Sequence, residues 1–103
     1  MKLNIIFTDD AIDILLSITD FIENKWTRKE ADKFLDKVHK TLDLTSKNPY
    51  MFKASDFKES IRIGYISKQT SFFYKVQENE IIILFFWDNR QEPFFNSDFL
   101  KNK

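Results

Sequence analysis

Apolar positions recur along the chain with two different periods, and the change of period divides it into elements. Leu3-Asn4-Ile5-Ile6-Phe7 is apolar and β-branched, long enough for one strand. Thr8 or Asp9 then offers an oxygen to the free amides of a helix start. Ala11, Ile14, Leu15, Ile18 and Ile22 follow at three- and four-residue steps, with Ile12 and Phe21 widening the stripe, so a helix is expected from Asp9 to Asn24. Its acidic first turn suits the positive end of the helix dipole. Trp26 sits in a short link. Thr27 and Glu30 form a capping-box pattern ahead of a second stripe, Ala31, Phe34, Leu35, Val38 and Leu42 with Thr45, which Pro49 ends. Two amphipathic helices so closely joined are expected to pack as an antiparallel hairpin.

Residues 49–60 are irregular, with Tyr50, Met51, Phe52 and Phe57 among polar neighbours. Three strand-like runs come next: Ile61 to Ile66, Ser71 to Val76 and Ile81 to Trp87. Gln77-Glu78-Asn79-Glu80 reads as a hairpin turn, with Asn79 the residue suited to a left-handed backbone. Gly64 is the only glycine and lies within a strand, where it permits a bulge or a close backbone approach. The order β-α-α-β-β-β predicts an α+β fold, a helical hairpin packed on an antiparallel sheet, with one domain over residues 1–95 and a flexible tail over 96–103. By strict alternation Ile81, Ile83, Phe85 and Trp87 share one face of the last strand and Ile82, Leu84 and Phe86 the other. Apolar on both sides, that strand is expected to be central. The helices cover one face only, so Tyr50, Phe52, Phe57, the tail residues Phe94, Phe95 and Phe99, or another chain must cover the second.

Composition narrows the chemistry. The 103 residues include twelve Phe, and the aromatic share of 17% requires a folded core. Cysteine is absent and there is one histidine, so a disulfide framework, a thiol nucleophile, cysteine-bound zinc and a histidine-based metal site or triad drop out; no metal and no cofactor is expected. His39 reads as a boundary histidine on the second helix. No Gly-rich phosphate loop is present. Met1-Lys2-Leu3-Asn4 does not open a signal peptide and no apolar run reaches spanning length, so the expected location is the cytoplasm.

Formal net charge is zero, against the positive excess of a protein that grips nucleic acid over its whole surface. The charge is nevertheless segregated. Residues 1–24 set Lys2 against Asp9, Asp10, Asp13, Asp20 and Glu23, a net of −4; residues 52–75 set Lys53, Lys58, Arg62, Lys68 and Lys75 against Asp56 and Glu59, a net of +3. Outside the helices two arginines remain, Arg62 and Arg90, and the planar fork of arginine suits phosphate or carboxylate. The plainer alternative makes Arg62 a solvent-facing strand residue and pairs Arg90 with Asp88 to tie down the strand end.

The chain resembles the RelE/ParE superfamily of bacterial toxins from Phe7 to Pro93. The resemblance rests on Ala11, Ile14-Leu15, Trp26 before Ala31, Phe34-Leu35, Pro49, Arg62, Tyr74-Lys75-Val76, Ile81-Ile82-Ile83-Leu84 and Asp88-Asn89-Arg90-Gln91-Glu92-Pro93. It implies the toxic half of a type II toxin–antitoxin pair, of the kind linked to plasmid stabilisation, with a cognate antitoxin as partner and contact with DNA only through that antitoxin. One branch of the superfamily cuts messenger RNA on the ribosome; the other inhibits growth by poisoning DNA gyrase without cleavage chemistry of its own.

The nuclease pattern is incompletely met. Arg62 and Arg90 match its basic positions and Lys58 could assist, but Ser71, Phe72 and Phe73 stand where an arginine is expected, and Phe94, Phe95 and Asn96 where a tyrosine is expected. A phenyl ring stacks on a base but cannot transfer a proton. The resemblance therefore points to the ParE-like, non-nuclease branch, with Trp87, Phe94, Phe95 and Phe99 as target- or antitoxin-binding residues. The alternative is a ribosome-dependent endoribonuclease using Arg62, Arg90 and Lys58; a second is a degenerate, non-toxic binding member. From outside the family, a nucleic-acid module stacking bases on Phe72, Tyr74 and Phe86 lacks any RNP-like motif.

Overall fold

The computed structural model describes residues 2–56, 58 and 60–89. Its elements are β1 (Asn4–Phe7), α1 (Asp9–Lys25), α2 (Arg28–Lys47), β2 (Arg62–Tyr65), β3 (Thr70–Gln77) and β4 (Glu80–Asp88), in the expected order. Capping sets the helix starts. Thr8 Oγ1 accepts the amide of Ala11 at 3.0 Å, and Thr27 Oγ1 accepts that of Glu30 at 3.1 Å. At the far end of α2 the Asn48 amide donates back to Leu44 and Thr45, just before Pro49.

The hairpin buries Ala11, Ile14, Ile18 and Ile22 of α1 and Ala31, Phe34, Val38 and Leu42 of α2. Ile12 and Leu35, placed by the periodicity in those stripes, are exposed instead, because each sits at the flank of its helix rather than over the sheet.

The sheet order is β1-β4-β3-β2, so β4 is interior, as its two apolar faces require. β2, β3 and β4 run antiparallel. β1 joins the outer side of β4 in parallel, with Ile5 opposite Ile81 and Phe7 opposite Ile83, which makes the sheet mixed. The β3–β4 turn carries its left-handed residue at Glu78 (φ 54°) rather than at Asn79. The Asn79 carbonyl accepts the amide of Asn4 at 2.9 Å and so anchors the start of β1.

The alternation expected for β4 breaks at one residue. Phe73 pairs with Phe85 but Tyr74 pairs with Ile83, so Leu84 is an extra residue in a β-bulge. Its carbonyl accepts the Thr8 hydroxyl at 2.6 Å, linking the bulge to the cap of α1. Beyond the bulge the faces exchange. Phe86 and Asp88 share the core face with Ile81 and Ile83, while Phe85 and Trp87 point the other way. Phe86 is fully buried and stacks on Phe7 at 6.4 Å; Phe85 stacks on Phe73 at 4.4 Å on the opposite face.

Residues 53–55 lie along the free edge of β2. The Ser55 amide donates to Ile61, that of Ile63 donates to Lys53, and Ala54 bridges Arg62. An otherwise open sheet edge is thereby covered. No helix among the described residues is long and apolar enough to cross a membrane.

Candidate functional site

Arg62 opens β2 directly opposite Tyr74 of β3, and this register decides where its side chain goes. Phe72 and Tyr74 alternate onto the core face, so Arg62 and Gly64 share that face while Ile63 and Tyr65 take the other. Arg62 is therefore half-buried and not a solvent-facing strand residue. Its Nη1 donates to the Phe52 carbonyl at 2.6 Å, and its guanidinium lies 4.8 Å from the centre of the Tyr50 ring. The Tyr74 hydroxyl donates to the Pro49 carbonyl at 2.8 Å. Two side chains from the sheet thus fold the 49–52 segment over its end.

Aromatic packing continues the clamp. Phe52 meets Phe72 at 5.8 Å, Tyr65 at 6.2 Å and Tyr74 at 6.5 Å, all edge-on. Phe72 needs the space that Gly64 leaves: a Cβ on Gly64 would stand 2.3 Å from the Phe72 ring. The close approach expected at Gly64 is this one. Burial raises the Tyr74 phenol above its ordinary value, and the Arg62 charge opposes that shift. Tyr74 is a buried donor already engaged by a carbonyl, poorly suited to hand a proton to a substrate.

The other candidates are dispersed. Lys58 is exposed, in a turn closed by Ser55, whose hydroxyl donates to the Lys58 carbonyl at 2.7 Å. Trp87 lies on the opposite face from Arg62, and its indole N–H donates to Asn89 Oδ1 at 3.1 Å. Along β3, Trp87 pairs with Ser71 and Arg62 with Tyr74, three residues or about 10 Å apart. Arg90, Phe94, Phe95 and Phe99 lie outside the described residues, as does Phe57. Asp88, the expected partner of Arg90, is fully buried and accepts the Thr70 hydroxyl at 2.5 Å.

The sequence offered Tyr50 and Phe52 as covers for the second face of the sheet. Instead Phe52 packs on Phe72 and Tyr74, and Tyr50 on Arg62, at the core face; their role as partners of Arg62 was not read from the sequence. The available signal was Pro49, a helix stop followed at once by Tyr50-Met51-Phe52, a short aromatic run that must cover something. His39 is exposed on α2, and no group of three His, Asp or Glu side chains among the described residues is placed to hold a metal ion.

The chain is a helical hairpin packed on a four-stranded sheet, and both its family and its structural neighbours make it a toxin of the RelE/ParE superfamily. The family model described as "ParE toxin of type II toxin-antitoxin system, parDE" matches residues 5–93, and the chain belongs to that family.

Among solved structures, the chromosomal ParDE system from P. aeruginosa superposes with a TM-score of 0.72 at 18% identity, over 84% of this chain and 96% of that one. The YoeB dimer from Staphylococcus aureus gives 0.59 at 18% identity, over 82% and 94%. A copper-bound mutant toxin from Helicobacter pylori gives 0.53 at 20% identity, over 86% and 97%. At these identities the likeness concerns the fold. No curated protein matches the chain.

Proposed function

We propose that this toxin inhibits growth by binding a host protein, DNA gyrase being the leading candidate, and that a cognate antitoxin neutralises it in the cytoplasm. The observation that carries this reading is the engagement of Arg62. The side chain that would stabilise charge on a scissile phosphate is bonded to the Phe52 carbonyl and stacked on Tyr50. Ahead of Tyr74, where a second cation would be needed, Phe72 is buried and Phe73 stacks on Phe85. Target or antitoxin contact is assigned to Trp87 together with Phe94, Phe95 and Phe99.

The test is tightly induced expression in a bacterial host, with growth and a DNA-damage reporter recorded together. Arrest with the reporter on, and gyrase–DNA cleavage complexes formed by the purified chain, is the expected result. Arrest with a silent reporter and cut messenger RNA would overturn it in favour of an endoribonuclease using Arg62, Arg90 and Lys58. Uninterrupted growth with soluble protein would leave a non-toxic binding member.

A further inference from the structure

The segregated charge of the sequence becomes two patches in three dimensions. On the outer face of α1, Leu16 is 58% exposed and Ile12 44%, with Asp9, Asp13, Asp20 and Glu23 around them. None of the four carboxylates has an ion pair among the described residues. Asp9 and Asp13 are four residues apart and Asp20 and Glu23 three, spacings at which like charges weaken a helix. On α2, by contrast, Glu30 pairs with Lys33, and Asp43 with both Lys47 and Lys2.

The β2 edge carries the opposite sign. Lys53, Lys58 and Lys68 are exposed and without ion pairs among the described residues, Asp56 being the one described carboxylate in that stretch. Tyr50 is 65% exposed, Tyr65 60% and Met51 46%, and Phe52, next to Met51 in the chain, meets the Tyr65 ring at 6.2 Å. Each patch joins an apolar centre to unneutralised charge, one negative and one positive. The α1 stripe from Asp9 to Glu23 is about 21 Å long, and Lys53, Lys58 and Lys68 lie in the segments that flank β2 in the chain. A net charge of zero sets no overall repulsion between copies.

We propose that the outer face of α1 docks the basic β2 edge of a second copy of this chain. Ile12 and Leu16 meet Tyr50, Met51 and Tyr65, and the carboxylates of α1 face Lys53, Lys58 and Lys68. The contact joins two different surfaces, so it is heterologous. It is independent of the host target.

The test is sedimentation of the full chain, produced by cell-free synthesis. Mass rises with concentration at about 0.01 M salt and returns towards the monomer near 1 M, as the screening length falls from about 30 Å to about 3 Å. Asp13→Lys/Asp20→Lys and Lys53→Glu/Lys58→Glu each weaken association at least about tenfold, a change of about 1.4 kcal/mol. An equimolar mixture of the two variants restores it. Melting curves show that both variants fold, since every substitution is on the surface. A wild-type monomer at low salt, association indifferent to the substitutions, or a mixture that stays monomeric would each overturn the proposal.

Discussion

Replacing Arg62 by Ala separates a structural role for this arginine from a catalytic one. The substitution removes a hydrogen bond from a charged donor, worth about 1.5–3 kcal/mol, and a cation–π contact worth about 0.5–1 kcal/mol at a half-exposed site. Water reaching the freed Phe52 carbonyl returns part of this, leaving a net loss of about 2 kcal/mol. For a domain of this size each kcal/mol moves the midpoint by about 4–8 °C, so thermal unfolding should fall by roughly 10 °C. Arg62→Lys keeps the charge but cannot both stack on Tyr50 and reach the carbonyl with a planar fork, so it recovers only part. A double-mutant cycle of Arg62→Ala with Tyr50→Leu isolates the stacking contribution. Circular dichroism melts supply the measurement, and growth arrest on induction is scored beside them. The expectation is a destabilised chain whose toxicity falls no further than its folded fraction. A midpoint within about 2 °C of wild type would refute the clamp. Complete loss of toxicity at an unchanged midpoint would place Arg62 on the target.

Three further changes probe neighbouring contacts. Gly64→Ala drives a methyl into the Phe72 ring, which Tyr74 and Phe86 hold at 5.4 and 6.3 Å, so overpacking should cost about 1–3 kcal/mol in denaturant unfolding, with partial recovery in Gly64→Ala/Phe72→Leu. Tyr74→Phe forfeits the bond to Pro49, about 1 kcal/mol at neutral pH. Because the folded phenol titrates above its ordinary 10.0, the unfolded chain loses that proton first; stability from Tyr74 is intact below pH 10 and lost above it, and the Phe variant should lack this alkaline limb in melts taken across that range. In acid the sign reverses. Lys2 and Lys47 hold the Asp43 carboxyl below its ordinary 3.8, so its contribution is present above that pH and disappears as pH falls through the lowered value; Asp43→Asn should flatten the acid limb, and salt should blunt the difference.

The parts of the fold that were legible depend on local chemistry. Both helices follow from apolar spacing and from a threonine at each start, and the interior position of β4 follows from its having no polar face. What was not legible depends on contacts between distant segments. Every residue from Ile81 to Trp87 is apolar, so periodicity contains nothing to mark the phase change at Leu84. The bulge is specified in part by Thr8, seventy-six residues earlier, whose hydroxyl donates to the Leu84 carbonyl. The parallel setting of β1 is equally hidden, since three apolar residues, Ile5, Ile6 and Phe7, read the same in either direction. Arg62 was visible as a candidate, but its engagement depends on how residues 49–52 turn back over the sheet, and neither Tyr50 nor Phe52 announces that path.

The bulge also constrains mechanism. Had β4 alternated throughout, Trp87 would share a face with Ile81 and Ile83, the same face from which Arg62 reaches Phe52. The extra residue at Leu84 instead sends Phe86 and Asp88 into the core and leaves Trp87 on the far side with Phe85. Trp87 and the arginine suited to phosphate chemistry therefore occupy opposite faces of one sheet. A single flat ligand cannot engage both at once. Chemistry at Arg62 would first require the 49–52 segment to release it, forfeiting the carbonyl bond and the stack on Tyr50. That requirement favours recognition over cleavage. Trp87 is itself half-buried, packed against the core and bonded to Asn89, so its substitution also costs stability. The prediction is that Trp87 variants lose target or antitoxin binding in a pull-down by more than their melting midpoint accounts for, whereas Arg62 variants lose no more than theirs does.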